Sequence, residues 1–140
     1  TDCCFHSTIV LYYMPIIRSF PHYLGIYLVT KDRNGRELPK ELFDQIFEKA
    51  QAWFKIRFTG SSEKERQVPG ITRGKGRFGG EKGLEIYDDL WELYVYCTAD
   101  EFEKSYESFI ELAEGVQMQG QQESIFIVID GKGHEVRKER

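Results

Sequence analysis

Several features that mark particular protein classes are scarce in this sequence. It has only three cysteines in 140 residues, Cys3, Cys4 and Cys97, and none belongs to a C-x-x-C pair, which argues against a disulfide scaffold or a zinc site. No apolar run approaches the ~20 residues that cross a bilayer. The formal charge of −4 argues against a protein that coats nucleic acid through bulk electrostatics.

The residues that are present indicate a folded globular domain. Hydrophobic residues make up 41% of the chain, aromatic residues 14% and charged residues 30%, a balance typical of folded rather than disordered chains. A chain of 140 residues is the size of one domain and buries about two-thirds of its unfolded surface. The N-terminal segment lacks the pattern of a secretory signal peptide, so we expect a cytoplasmic protein.

Hydrophobic periodicity predicts six secondary-structure elements. The helices have apolar residues at three- and four-residue steps, and the strands are rich in β-branched and aromatic residues. The second helix is predicted to start at Asp100 as N-cap, with Glu103 at the capping-box position. The elements are a strand at 23–30, a helix at 39–54, a short strand at 55–58, a strand at 86–98, a helix from Asp100 to Gly115 or Gly120, and a strand at 124–129.

The order of these elements predicts a ferredoxin-like α+β fold. In this β-α-β-β-α-β plan both helices cover one face of an antiparallel sheet. We divide the chain into an N-terminal extension or extra strand (1–22), a single domain (23–131) and a charged tail (132–140). Residues 59–83 contain seven glycines and no hydrophobic periodicity, so they are predicted to form a long loop, a feature that is more often functional or disordered than filler.

Positive charge is concentrated around this loop. Residues 55–82 contain eight basic and three acidic residues, a formal charge of +5, while the rest of the chain carries −9. Such asymmetry is typical of a local anion-binding surface. Nucleic acid or a nucleotide is the expected partner, bound by Arg73, Lys75 and Arg77 through phosphates and by Phe78 through base stacking. The alternative is a solvated loop whose charge only maintains solubility.

The sheet face opposite the helices is predicted to be apolar. Residues 125–129 are apolar at all five positions, and residues 23–29 carry no charge on either face. Because burying apolar surface is worth ~25 cal/mol per Å², such a face favours association. We expect a homodimer in which a second copy covers this face. The alternative is that residues 1–22 fold back over it.

Asp32, Asp88 and Asp89 are the candidate metal ligands. Asp32 follows the first predicted strand, and the other two lie near the start of the third. Because those strands are adjacent and antiparallel in the predicted fold, the three carboxylates are expected to lie close together. They would then hold Mg²⁺ for phosphodiester hydrolysis. The alternative is that they form turns at strand ends, in which case no cofactor is expected.

Residues 27–43 carry a resemblance to a known family. Their sequence is YLVTKDRNGRELPKELF, and a Y-D-D at 87–89 and Gln122 before the last strand follow. This resembles a family of small uncharacterised bacterial α/β proteins with a D-x-x-G-R-x-[FL]-P-x-x-L-F segment, a glycine-rich loop and a Y-x-D. The resemblance covers most of residues 24–129, with a longer and more basic loop here. It implies the same fold and a cytoplasmic bacterial protein, and no activity.

These observations favour a non-catalytic binding or regulatory module, a homodimer whose basic loop contacts an anionic partner. The first alternative is a small metal-dependent nuclease of toxin or defence type that uses Asp32, Asp88 and Asp89. The second is a dimeric α+β barrel enzyme, which depends on analogy of fold alone. The sequence assigns no catalytic residue.

Overall fold

The computed structural model describes residues 15, 16, 19–58, 70–79 and 85–138, without the side chains of residues 75, 77, 78, 85 and 87. Most of the predicted N-terminal extension, including Cys3 and Cys4, lies outside this description. No helix within the described ranges is long and apolar enough to cross a membrane. The elements are β1 (His22–Val29), α1 (Lys40–Phe58), β2 (Gly70–Gly79), β3 (Glu85–Cys97), α2 (Ala99–Gln119), β4 (Ile125–Ile129) and β5 (Lys132–Val136).

The strands form one antiparallel sheet in the order β2-β3-β1-β4-β5. Strand β1 pairs with β3 from His22↔Cys97 to Val29↔Leu90, and its other edge pairs with β4. Apart from β5, this strand order is that of the ferredoxin-like plan. The predicted α+β fold is therefore confirmed, with one strand added at the β4 edge.

Both helices pack against one face of this sheet. Phe54 of α1 and Phe109 of α2 are fully buried there, with ring centroids 6.2 Å apart. Cys97 ends β3 in this core, and burial, with the nearby acidic side chains, raises the pKa of its thiol to about 12. The thiol is therefore uncharged at neutral pH, as expected of a core residue. Alternate strand residues complete the core: Leu24, Ile26, Leu28, Leu93, Val95, Ile125 and Ile127.

Part of the predicted loop is in fact a strand. Residues 70–79 form β2, which pairs with β3 from Gly70↔Tyr94 to Gly79↔Glu85. The loop prediction is wrong here because it relied on the lack of alternating apolar residues. An edge strand can pair through backbone hydrogen bonds without such alternation. The glycines also make room for large neighbours, since a Cβ on Gly70 would overlap the Tyr94 ring. Residues 59–69 and 80–84 of the predicted loop lie outside the described residues.

Two predicted boundaries around the helices are wrong. Residues 55–58 were predicted to be a strand, and they form the last turn of α1. Helix α2 has Thr98, not Asp100, as its N-cap: Thr98 Oγ1 accepts from Glu101 N at 3.2 Å, and Thr98 N donates to Glu101 Oε1 at 2.9 Å. Both T-x-x-E and D-x-x-E match the capping box, and Thr98 takes the role because β3 ends directly before it.

The predicted charged tail contains β5. Asp130 and Gly131 have φ values of 52° and 82°, the left-handed pair of a two-residue type I′ hairpin. This turn sends the chain back along β4, where Val136 packs against the core. The last strand predicted from the sequence ends at residue 129, whereas the hairpin turn extends the sheet to residues 132–136.

Candidate functional site

The sheet face away from the helices carries aromatic side chains around one carboxylate. We call it the open face. The register places Tyr23 opposite Tyr96 and Tyr27 opposite Glu92. The ring centroid of Tyr23 lies 4.9 Å from that of Tyr96, so the rings form one aromatic surface. The open face is defined by Tyr23, Tyr27, Glu92, Tyr94, Tyr96 and Phe126.

Hydroxyl groups, not cations, hold the Glu92 carboxylate. Tyr23 Oη donates to Glu92 Oε2 at 2.8 Å, and Thr72 Oγ1 donates to Glu92 Oε1 at 3.5 Å. Gly25 lies beneath the carboxylate, and a Cβ there would come within 2.8 Å of Oε2. Among the described residues no cation pairs with Glu92. The open face therefore presents a negative charge beside aromatic rings, an arrangement suited to a cationic ligand.

The tyrosines next to Glu92 keep their protons. Burial, followed by the hydrogen bond to Glu92 and its charge, raises the pKa of Tyr23 well above the usual value of 10.0. Burial and then the charge of Glu92 also raise the pKa of Tyr27. Because an ionised phenol would meet both a desolvation penalty and a like charge, Tyr23 remains a hydrogen-bond donor to Glu92 at neutral pH.

Two neighbouring cavities occupy the open face. The carboxylate cavity, of about 650 Å³, includes Tyr23, Glu92 and Tyr96 in its lining. The apolar cleft, of about 280 Å³, is lined by Tyr27, Val29, Leu90, Gln122, Ser124, Ile125, Phe126 and Glu135. Tyr27 and Phe126 border both cavities. Together the cavities can hold a ligand with a flat apolar part and a cationic part.

A histidine–aspartate pair lies at the rim of the carboxylate cavity. Asp130 Oδ2 is 2.9 Å from His22 Nδ1, and Asp130 Oδ1 accepts from Tyr23 N at 2.8 Å. Burial opposes ionisation of Asp130, but the hydrogen bonds from His22 and Tyr23 outweigh it and lower the pKa of Asp130. The His22 ring stacks on Phe102, with centroids 4.1 Å apart. These contacts fix the position of the Asp130 carboxylate at one end of the site.

The structure assigns Arg73 a local role. Its guanidinium donates to Asp89 Oδ2 at 3.0 Å and lies 4.7 Å from the centroid of the Trp91 ring. Lys75 and Arg77 lie two and four positions after Arg73 along β2, whereas Phe78 is five positions after it. The side chains of Lys75, Arg77 and Phe78 lie outside the described part of the chain. An anion-binding role for Arg73, Lys75, Arg77 and Phe78 therefore stays a prediction.

The three candidate metal ligands have separate partners. Asp32 Oδ1 accepts from Asn34 N at 2.8 Å and from Arg36 N at 3.0 Å, as in a turn. Asp88 accepts from Thr30 N and Thr30 Oγ1, and Asp89 pairs with Arg73. No group of three acidic, histidine or cysteine side chains in the described residues is arranged to hold a metal ion.

Two solved structures share this fold. A phage SAM lyase in complex with S-methyl-5′-thioadenosine matches with a TM-score of 0.58 at 10% identity, over 88% of this chain and 94% of that chain. A phage SAM lyase in its apo state also matches with a TM-score of 0.58 at 10% identity, over 91% of this chain and 97% of that chain. At this identity the likeness shows the fold. No family model and no curated protein matches the chain.

This comparison corrects the leading functional expectation. The non-catalytic binding or regulatory module is overturned, because the solved structures that share the fold are those of a lyase. The resemblance to the bacterial α/β family stays a prediction.

Sequence reasoning missed this site. It interpreted the sheet face, from residues 23–29 and 125–129, as an apolar dimer surface, although Glu92 shares alternate positions of β3 with Tyr94 and Tyr96. A single carboxylate in an aromatic row was the available signal. No local signal joins His22 to Asp130, which lie 108 positions apart.

Proposed function

We propose that this chain is an enzyme that binds a nucleoside sulfonium of the S-adenosylmethionine (SAM) class on its open face and cleaves a carbon–sulfur bond. The observation that carries the proposal is the Glu92 carboxylate, which is held by hydroxyls and faced by tyrosine rings without a cationic partner among the described residues. The shared fold with a SAM lyase supports the choice of ligand.

The chemistry of a sulfonium fits this surface. A sulfonium is a cation without N–H or O–H donors, so proteins recognise it through negative charge and aromatic faces rather than through hydrogen bonds. When the carbon–sulfur bond breaks, both electrons go to sulfur, which becomes a neutral thioether. Positive charge develops on the departing carbon in the transition state, and the carboxylate of the same ligand neutralises it by forming a carbon–oxygen bond that closes a lactone, so no second reactant is needed. A carboxylate fixed beside that carbon stabilises the transition state, since its hydrogen-bonded position is set before the reaction.

Binding of a charged and an uncharged ligand tests the role of Glu92. We expect calorimetry to show that Glu92→Gln weakens SAM binding about 10-fold, equivalent to ~1.4 kcal/mol. Binding of neutral S-methyl-5′-thioadenosine should change little. Glu48→Gln, an exposed change on α1, is the control and should leave both affinities unchanged. Equal SAM binding by Glu92→Gln and the unaltered protein would overturn the proposal.

A homodimer through the open face is part of the proposal. Tyr96 and Phe126 are 56% and 40% exposed in the single chain, and a second copy on this face would close both cavities from water. Light scattering at micromolar concentration should then give twice 16.4 kDa. A mass of 16.4 kDa would contradict the dimer, and the alternative would then be that residues 1–22 cover the open face. The proposed cellular setting is the cytoplasm.

A further inference from the structure

The side-chain amide of Gln122 is buried and only half satisfied. Gln122 is 3% exposed, and its Nε2 donates to Val29 O and Lys31 O, each at 3.3 Å. Its Oε1 is also buried and has no hydrogen-bond partner in the described chain. An unpaired buried carbonyl oxygen is costly, so this oxygen marks a place where a donor is missing.

The orientation of this amide is fixed by its surroundings. Rotating it by 180° would place Oε1 against the carbonyl oxygens of Val29 and Lys31, two acceptors that it cannot pair with. The backbone is also held, because Gln122 N donates to Gln117 O and Gln117 Nε2 donates to Gln122 O, each at 3.0 Å. Gln122 therefore offers an acceptor and cannot offer a donor in its place.

The unpaired oxygen belongs to a residue that lines the apolar cleft. Val29, Leu90, Ile125 and Phe126 line the same cleft, and these apolar side chains suit a flat ring. The Val29↔Leu90 pair lies two residues from the Tyr27↔Glu92 pair, about 6.6 Å along an extended strand. A ligand with its sulfonium at Glu92 thus has its ring system within reach of Gln122.

We propose that the apolar cleft binds the purine base of the ligand and that Gln122 Oε1 accepts a hydrogen bond from its exocyclic amine. The amine of adenine is such a donor, whereas the oxygen of hypoxanthine at the same position is an acceptor. Glu135 adds a second acceptor to the lining of the cleft, so its charge also favours a donor. Gln122 is thus a specificity-determining residue for an aminopurine. This inference rests on the proposed binding of a nucleoside at the open face.

Two neutral nucleosides that differ only in this group test the inference on the unaltered protein. We expect calorimetry to show S-methyl-5′-thioadenosine binding at least about 10-fold more tightly than S-methyl-5′-thioinosine, because the latter leaves acceptors facing each other. Equal affinities would overturn the inference while the proposed function stands, since SAM binding and its dependence on Glu92 are measured separately. Failure of both nucleosides to bind would overturn the inference together with nucleoside binding.

A variant pair assigns the discrimination to Gln122. Gln122→Met should bring the two affinities within about 3-fold of each other. Gln45→Met is the control, because it makes the same change at an exposed position of α1 that does not line the cleft. It should keep the preference for the aminopurine. Retained discrimination in folded Gln122→Met would overturn the assignment, and if that variant does not fold, the affinities of the unaltered protein decide.

Discussion

The two faces of the sheet use the same strands for opposite purposes. On the helix face, Leu24, Ile26 and Leu28 of β1 lie in a core in which Phe54 and Phe109 are fully buried. On the open face, the intervening residues Tyr23 and Tyr27 surround a carboxylate and two cavities. Successive side chains of a strand point to opposite faces of the sheet. Strand β1 therefore contributes one set of side chains to the core and the other set to the candidate site.

The difference between the faces is clearest in their polar groups. Between the helices, Trp53 Nε1 donates to Ser108 Oγ at 2.9 Å, so this part-buried polar pair is satisfied. On the open face, Glu92 lacks a cation among the described residues and Gln122 Oε1 lacks a donor. Unmet polar groups are expected where a ligand completes the structure. Substitutions made on one face at a time separate the two roles.

Matched phenylalanine truncations should show the largest difference. We expect Phe109→Ala, on the helix face, to lower the free energy of unfolding by about 3–5 kcal/mol because it leaves a cavity in the core. Phe126→Ala, at a ring that is 40% exposed, should cost much less but weaken nucleoside binding. Urea denaturation and calorimetry measure the two effects. Equal stability losses would show that the faces are not distinct.

A methyl group beneath Glu92 should affect binding more than folding. We expect Gly25→Ala to weaken SAM binding about 10-fold, because its Cβ would meet Glu92 Oε2 at 2.8 Å and displace the carboxylate. Gly74→Ala is the control, since a Cβ there has no neighbour within 4 Å. Unchanged binding by Gly25→Ala would mean that the position of the carboxylate does not matter.

Removing the Tyr23 hydroxyl should change how steeply stability falls with pH in alkali. The raised pKa of Tyr23 means that, above about pH 10, the unfolded chain loses a proton that the native chain keeps. Stability contributed by Tyr23 is present below pH 10 and falls by up to about 1.4 kcal/mol per pH unit above it. Tyr23→Phe should therefore lose stability less steeply in urea denaturation between pH 9 and 11. An unchanged slope would contradict the part-buried hydrogen bond from Tyr23 to Glu92.

The helix cap should give the smallest effect and spare the open face. We expect Thr98→Ala to lower the free energy of unfolding by about 1 kcal/mol without changing nucleoside affinity. Asp100→Ala should cost less, because Asp100 only pairs with exposed Lys104. Thermal unfolding compares the two. A larger loss of stability from Asp100→Ala than from Thr98→Ala would indicate that Asp100 is the N-cap, as predicted from the sequence.

The fold was predictable where one chain segment carries its own periodicity. The apolar spacing of α1 and α2 and the strand character of β1, β3 and β4 predict five elements of the ferredoxin-like order, whereas its second strand was predicted at 55–58 and is in fact β2. Strands β2 and β5 were not predicted because both are edge strands whose pairing depends on a neighbour. In β2, glycines make room for large side chains of β3. Strand β5 pairs with β4 because the left-handed turn at Asp130 and Gly131 reverses the chain.

The candidate site was only partly predictable for the same reason. Alternation along β3 places Glu92 with Tyr94 and Tyr96, and this row could be read from the sequence. The hydrogen bond from Tyr23, the close approach of Gly25 and the fixed amide of Gln122 join segments that are far apart in the chain. Only the assembled sheet brings them together.

Product formation from SAM tests the central claim most directly. The purified chain is incubated with SAM, and S-methyl-5′-thioadenosine is measured by chromatography and mass spectrometry, with Glu92→Gln and Glu48→Gln alongside. We predict that the unaltered chain and Glu48→Gln form the thionucleoside, and that Glu92→Gln forms it at least about 10-fold more slowly, with an unchanged thermal unfolding midpoint. No thionucleoside above the spontaneous rate, or full activity in Glu92→Gln, would contradict the account.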